Sequence, residues 1–386
     1  MVRRLAALAA FVAALYPTTP AGADPAVTWT VNLSTVDGDD VNVRYGGGAL
    51  TSPDLTRTGY LVLAPDDLGR PVNRVRSAVV AKVPPGAVVD VDVRGHLGGA
   101  DWTEWVPTAG GAALLPRTVS VVQVRIGLIA GPAVSAVRLT ADRVPRASDV
   151  TIQAAPLTFR VFATREGLVG GTTANGHVIR TRDHFVSFPS GRSLSTQNTG
   201  TFTARVCTTS GSRCEYAPVW EVGPWNTRDD YWNPSSVRQN WQTLPQGKPE
   251  AQAAFQDGFN GGRDQFGRIV ANPAGIDLAD GTFWDGVGLA DNSFVNVTFL
   301  WTGTGPTGTV TTAGDPLNVR ASASTGAAVR GLAANHAKVI IECFVRGDTV
   351  TGTFGTSNVW DRIGPGHFVA DAYVNTGSDN PVAPAC

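Results

Sequence analysis

Apolar residues in this chain return at every second position. Val27, Trp29, Val31 and Leu33 do so near the start, and the runs Val88 to Arg94 and Val119 to Arg125 do so further on. A period of two gives a strand one apolar face, whereas a helix needs a period near 3.6. Tyr60–Leu63, Ala78–Ala81 and Val137–Thr140 read as further strands. The chain also carries 44 glycines and 25 prolines, which fall mostly between such runs and end them in turns. The expected class is all-β. At 386 residues the chain is long for one core, so several domains are expected. Pro249 to Phe259 reads as a short helix.

The N-terminus has the layout of a secretory signal peptide. Arg3 and Arg4 precede an apolar stretch from Leu5 to Leu15, and Ala21-Gly22-Ala23 supplies a small-x-small cleavage pattern. The apolar run is too short to span a bilayer. Residues 1–23 are thus expected to be removed, leaving a secreted, extracellular or cell-wall-associated protein without a membrane anchor. The formal net charge of −1 offers no basic field for nucleic acid. Lys82, Lys248 and Lys338 are the only lysines, and this preference for arginine fits a bacterial genome rich in G and C. A monomer is expected.

The four cysteines form two local groups, Cys207 with Cys214 and Cys343 with Cys386. Outside the cell two disulfides are the default, and the local pairing costs the least chain entropy. A metal site is the rival reading, but no CxxC or nearby histidine pattern supports one. No metal and no cofactor are expected. The chain also lacks a G-x-S-x-G elbow, an H-E-x-x-H pair and a Walker loop.

Composition divides the chain into residues 26–145, a β-sandwich; 157–301, a barrel; 302–314, a linker; and 315–386, a small barrel. The linker holds a formal G-x-G-x-x-G at Gly303, Gly305 and Gly308. Pro306 interrupts it and no helix pattern follows, as a dinucleotide site would require. In the first domain Asp101-Trp102-Thr103-Glu104-Trp105 resembles a stretch of galactose-binding-like modules, which implies a tryptophan pair stacking on sugar. The alternative is that Trp102 and Trp105 are core or edge residues.

The middle region carries an ordered set of motifs. Gly170-Gly171-Thr172-Thr173-Ala174-Asn175-Gly176-His177 comes first. Asp183-His184-Phe185-Val186-Ser187-Phe188-Pro189 follows, then Val219-Trp220-Glu221-Val222-Gly223-Pro224-Trp225, and finally Gly275-Ile276-Asp277-Leu278. Together they resemble the double-psi β-barrel of the rare lipoprotein A family, interrupted by an insertion between Asn226 and Asn272. The resemblance implies a protein that binds peptidoglycan or another cell-wall polysaccharide and cleaves glycan strands as a lytic transglycosylase. Such cleavage needs a general acid for the glycosidic oxygen, because the leaving sugar is a poor anion. The family's acid falls on Glu221, with glutamate in place of aspartate and Val222 in place of the arginine that follows it. The family's histidine falls on His184, with Asp183 as the alternative. Asn175 belongs to the Thr-Ala-Asn-Gly loop and is expected at substrate. Asp277 reads as the N-cap of a helix.

At and within the insertion, Trp225, Tyr231, Trp232 and Trp241 beside Asp and Arg look like a sugar-binding lining, with a satellite core as the alternative. Leu317-Asn318-Val319-Arg320 and the strands after it resemble a bacterial SH3-like domain, which implies binding to peptidoglycan peptides. Trp360 and Tyr373 are expected to line its groove. Two rival functions share these residues: an expansin-like barrel that binds polysaccharide without cleaving it, and a secreted protein inhibitor.

Overall fold

The computed structural model describes residues 25–145 and 155–386; the expected signal peptide lies outside the described residues. Strands dominate, as the alternation requires, and the chain is an all-β protein of several domains. The first domain joins ten strands in one hydrogen-bonded sheet. Two strands of 17 residues each, Asp66–Lys82 and Ala113–Ile129, form its spine. Their inward side chains, among them Val72, Val75, Val122, Val124 and Ile126, pack into one core with Leu61, Val91 and Leu139.

The middle domain is a closed barrel of six strands. In chain order they are Leu157–Arg165, Val186–Phe188, Thr203–Thr208, Cys214–Val222, Ala274–Leu278 and Ser293–Phe299. Around the barrel the order is second, fifth, first, sixth, third and fourth, and the fourth pairs with the second to close it. Two contacts are parallel, first with fifth and fourth with second, and the rest are antiparallel. Val161, Ala163, Val186, Phe188, Ile276, Leu278, Val295 and Val297 fill the interior.

The insertion after the fourth strand closes one end of this barrel. Its helix is Glu250–Asp257, ended by Gly258 at φ 68°, a left-handed cap that glycine adopts without Cβ strain. Tyr231 and Trp232 are fully buried there, against Phe188 and Phe299, with Trp301 beside Trp232. The Tyr231 hydroxyl donates to the Gly275 carbonyl at 3.0 Å. Both residues are therefore core and cannot line a sugar site. The apolar run on the strands left a cap to be filled, and these were the rings within reach.

Asp101–Trp105 turns out to be a joint between domains. Glu104 reaches from the first domain into the barrel cap. It accepts from Trp232 Nε1 at 2.6 Å, Trp301 Nε1 at 2.8 Å and Asn233 Nδ2 at 2.8 Å, and it pairs with Arg192 at 3.1 Å. Trp105 is wholly buried, donates to the Leu194 carbonyl and lies under the guanidinium groups of Arg94 and Arg125. Trp102 is half-buried against Arg94 and His96. Trp102 and Trp105 are thus edge and core residues, the alternative to a sugar platform, and they plug the interface.

The C-terminal domain is fused to the barrel by hydrogen bonds. Val329–Ala333 runs parallel to the fourth barrel strand, with Cys214 opposite Gly331. A Cβ on Gly331 would fall 1.6 Å from the Cys214 carbonyl oxygen, so only glycine permits this approach. Residues 302–314 are not a bare linker. Thr307–Val310 is a strand that pairs with Lys338–Ile340 and Val374–Asn375, which places Gly308 inside a sheet.

Both expected disulfides are formed, Cys207 to Cys214 and Cys343 to Cys386. The second spans 43 residues. Closing a loop of that length in the unfolded chain is expected to contribute about 2–4 kcal/mol. A Cys343→Ser/Cys386→Ser variant should lose about that much in urea unfolding. An unchanged midpoint would remove the bridge from the stability account. Among the described residues no helix is long and apolar enough to cross a membrane.

Candidate functional site

Glu221, Ser187, Asp277 and Thr164 form one row across four barrel strands. Strand register pairs Glu221 with Ser187, Ser187 with Asp277, and Asp277 with Thr164. Register partners project from the same face of a sheet. Val186 and Phe188 point into the barrel, so Ser187 points out; Ile276 and Leu278 do the same for Asp277. Glu221 needs a further device. Val219 also points inward, and simple alternation would send Glu221 in after it. A register shift between Val186 and Ser187 skips Trp220 on the fourth strand. That extra residue turns Glu221 outward, the re-aiming that β-bulges provide beside sites of function.

The row is the floor of a cleft of about 510 Å³, within the usual range for ligand sites. Glu166 and Leu168, just after the first strand, form one wall. Trp225, Arg268 and Asn272 from the insertion form the other. Trp225 sits at φ 60°, rare for a bulky residue, and its Nε1 donates to Asn272 Oδ1 at 3.0 Å. Of the aromatic residues expected at sugar in the insertion, Trp225 alone reaches the cleft.

Three carboxyl groups share this cleft, and no cation pairs with any of them among the described residues. Glu221 Oε2 accepts from the Ala174 N–H at 3.0 Å and Oε1 from its own Val222 N–H at 2.6 Å. Burial outweighs these bonds and pushes its pKa up to about 7. Asp277 is raised by burial to about 6, opposed by the hydroxyl of Thr164 donating to Oδ1. Glu166 is raised to about 9 by burial and by the charges of Glu221, Asp277 and Asp280. Near neutrality the cleft therefore offers a proton on one carboxyl and a charge on another, the pairing that general acid and base chemistry requires.

The other expected site residues lie elsewhere. His184 Nδ1 bonds Glu215 Oε1 at 2.9 Å, on the side of the fourth strand that faces Thr282, and does not line the cleft. Burial works against its charge, but the bond to buried Glu215 prevails and raises its pKa. Asp183 is 2.7 Å from His177 Nε2 and also caps the Arg180 N–H. These two hold a loop together and stand apart from Glu221. Asn175 is buried, and its Oδ1 accepts from the Thr173 hydroxyl at 2.7 Å. It shapes the turn that presents the Ala174 N–H to Glu221 and does not line the cleft of the row. Asp277 lies on a strand rather than at a helix start. The signal for it was present, since an acid between Ile276 and Leu278 reads as the outward residue of a strand. Glu166 had a weaker signal, an acid directly after a strand.

In the C-terminal domain, Trp360 and Tyr373 do share a groove, of about 460 Å³, with Leu317, Asn318 and Arg320. Trp360 is only 2 % exposed and donates to the Asp348 carbonyl, so it offers an edge. Tyr373 donates to the Thr351 carbonyl at 3.2 Å.

Over 85 residues, about a fifth of its length, the chain is 39 % identical to uncharacterized protein YraI of Bacillus subtilis and covers 71 % of that protein. The chain belongs to the YraI family. Uncharacterized protein YraJ of the same organism is similar to it at 38 % identity over 84 residues, again 71 % of that relative. Residues 157–298 match the model of a domain of unknown function, DUF8814. That match coincides with the barrel and its insertion, so the row and its walls lie within the matched domain. No solved structure matches the chain.

Proposed function

We propose that the protein is a secreted cell-wall protein whose barrel binds peptidoglycan glycan strands and cleaves them, with Glu221 as general acid. The observation that carries this reading is the bulge that turns Glu221 out of the barrel into the same row as Asp277. The likeness to rare lipoprotein A barrels supports the same assignment for Glu221. Both disulfides fit life outside the cell.

Protonated Glu221 gives its proton to the glycosidic oxygen as the bond breaks. Asp277, ionised, takes a proton from the attacking oxygen. Their strands are two apart, a backbone separation of roughly 9–10 Å. Carboxyl pairs with room between them accommodate an attacking group rather than bonding the sugar directly. That group is water in a hydrolase and the sugar's own 6-hydroxyl in a transglycosylase, which closes an anhydro ring. Trp225 supplies a ring face for stacking. The C-terminal groove of Trp360 and Tyr373 keeps the enzyme on the wall.

Digestion of purified peptidoglycan, followed by mass spectrometry of the soluble products, tests the reading. Anhydro-muramyl ends identify the transglycosylase and reducing ends the hydrolase. Cell walls that bind the protein but stay intact would leave the expansin-like reading, which the two backbone N–H bonds on Glu221 favour. Tight binding to a protein partner, with no binding to walls, would leave the inhibitor reading.

The pH dependence follows from the two carboxyls. Asp277 must be ionised, which requires pH above about 6, and Glu221 protonated, which requires pH below about 7. The rate should therefore peak between these values and fall on both sides. A rate that keeps rising to pH 9 would exclude Glu221 as the acid.

A further inference from the structure

Glu166 has no role in the two-carboxyl scheme, yet it stands in the same cleft. Its backbone N–H donates to the Leu278 carbonyl at 2.9 Å, which extends the pairing of the first and fifth strands by one residue. Its Oε2 is closed off from the cleft and has no hydrogen-bond partner, so Oε1, which also makes no hydrogen bond within the protein, is the oxygen that can present an O–H to a ligand. The charged groups around it do not meet its need. Glu221, Asp277 and Asp280 are acids. Arg165 is engaged by Asp280 at 2.6 Å, and Arg268 by Asp264 and the Trp225 carbonyl, each at 2.6 Å. A buried carboxylate without a partner is costly, whereas a buried carboxylic acid keeps a donor to spend.

We propose that Glu166 is a third sugar-contacting residue of the cleft, a neutral carboxyl whose O–H is donated to an uncharged oxygen of the bound glycan. The proposal rests on the glycan reading of the site. It adds a selectivity: a carbonyl, hydroxyl or ring oxygen is accepted at this point, and a carboxylate of the substrate meets the charge of the neighbouring acids. Burial and the neighbouring acids keep the proton on Glu166 up to about pH 9.

The test uses the full-length Glu221→Gln protein, in which cleavage does not obscure binding, and soluble glycan strands that keep their peptides, so that each lactyl group is an amide rather than a carboxylate. Their affinity is measured by calorimetry from pH 6 to pH 10. Binding should weaken about tenfold across about two pH units on the alkaline side as the O–H is lost, at a lower pH than in the wild type because residue 221 no longer carries a charge. Adding Glu166→Gln, whose carboxamide still donates, should flatten that alkaline loss. Adding Glu166→Ala should weaken binding at every pH. The same alkaline loss in the Glu166→Gln protein, or unaltered binding in the Glu166→Ala protein, overturns the proposal. If these binding results hold but the wild type cleaves nothing, Glu166 keeps its role and only the cleavage reading falls. If no glycan binds at any pH, both fall.

Discussion

Glu221→Gln should lose about 100- to 10,000-fold in the rate of glycan cleavage while still sedimenting with cell walls. The amide has nearly the shape of the acid and keeps an oxygen to accept from the Ala174 N–H. Its NH2 cannot accept from the Val222 N–H, so one of the two backbone bonds is lost. What it lacks is a proton to give to the glycosidic oxygen. Asp277→Asn should show a similar loss, because the attacking oxygen then keeps its proton. His184→Gln and Asp183→Asn lie outside the cleft and should leave the rate per folded molecule within a few-fold of wild type. A His184 variant as inactive as Glu221→Gln would reinstate the histidine and displace Asp277.

Glu104→Ala should be among the most destabilising single changes in the protein, by about 3–5 kcal/mol. Its carboxylate accepts from two indole N–H groups and an amide and pairs with Arg192, all at the join of the first domain and the barrel cap. Truncation leaves both indole N–H groups without an acceptor in a place where water enters poorly, and it takes one carboxylate from the guanidinium of Arg192, which is 7 % exposed. Arg192 keeps two further partners, Asp230 at 3.1 Å and the Val237 carbonyl at 3.0 Å, which limits the loss. Denaturant unfolding of the variant measures the effect. Glu104→Gln, which retains one acceptor oxygen, should fall between the two. A change below about 1 kcal/mol in the alanine variant would mean that the domains dock without this plug.

The all-β class, the helix at Glu250–Asp257 and both disulfides were legible in the residues, because period, capping glycine and cysteine spacing are local signals. Glu221 was legible through the order of motifs around it. What aims it was not. Alternation puts Glu221 on the same face as Val219, and only pairing with the second strand reveals the extra residue at Trp220. The aromatic residues of the insertion failed for a similar reason. Trp225, Tyr231 and Trp232 have the same chemistry and lie within eight positions of one another. Which becomes a wall and which a core depends on how the insertion folds over Phe299, a contact between residues far apart in the chain. His184 has a buried acid across the fourth strand at Glu215, a partner that sequence order does not place beside it.

The claim on which the rest depends is that a sugar lies along the row from Glu221 to Asp277. A crystal structure of the Glu221→Gln protein with a glycan fragment tests it directly. The account predicts a glycosidic oxygen within hydrogen-bond distance of the residue 221 side chain, and a sugar ring against Trp225. Saccharide density confined to the C-terminal groove, with the barrel cleft holding only solvent, would contradict it.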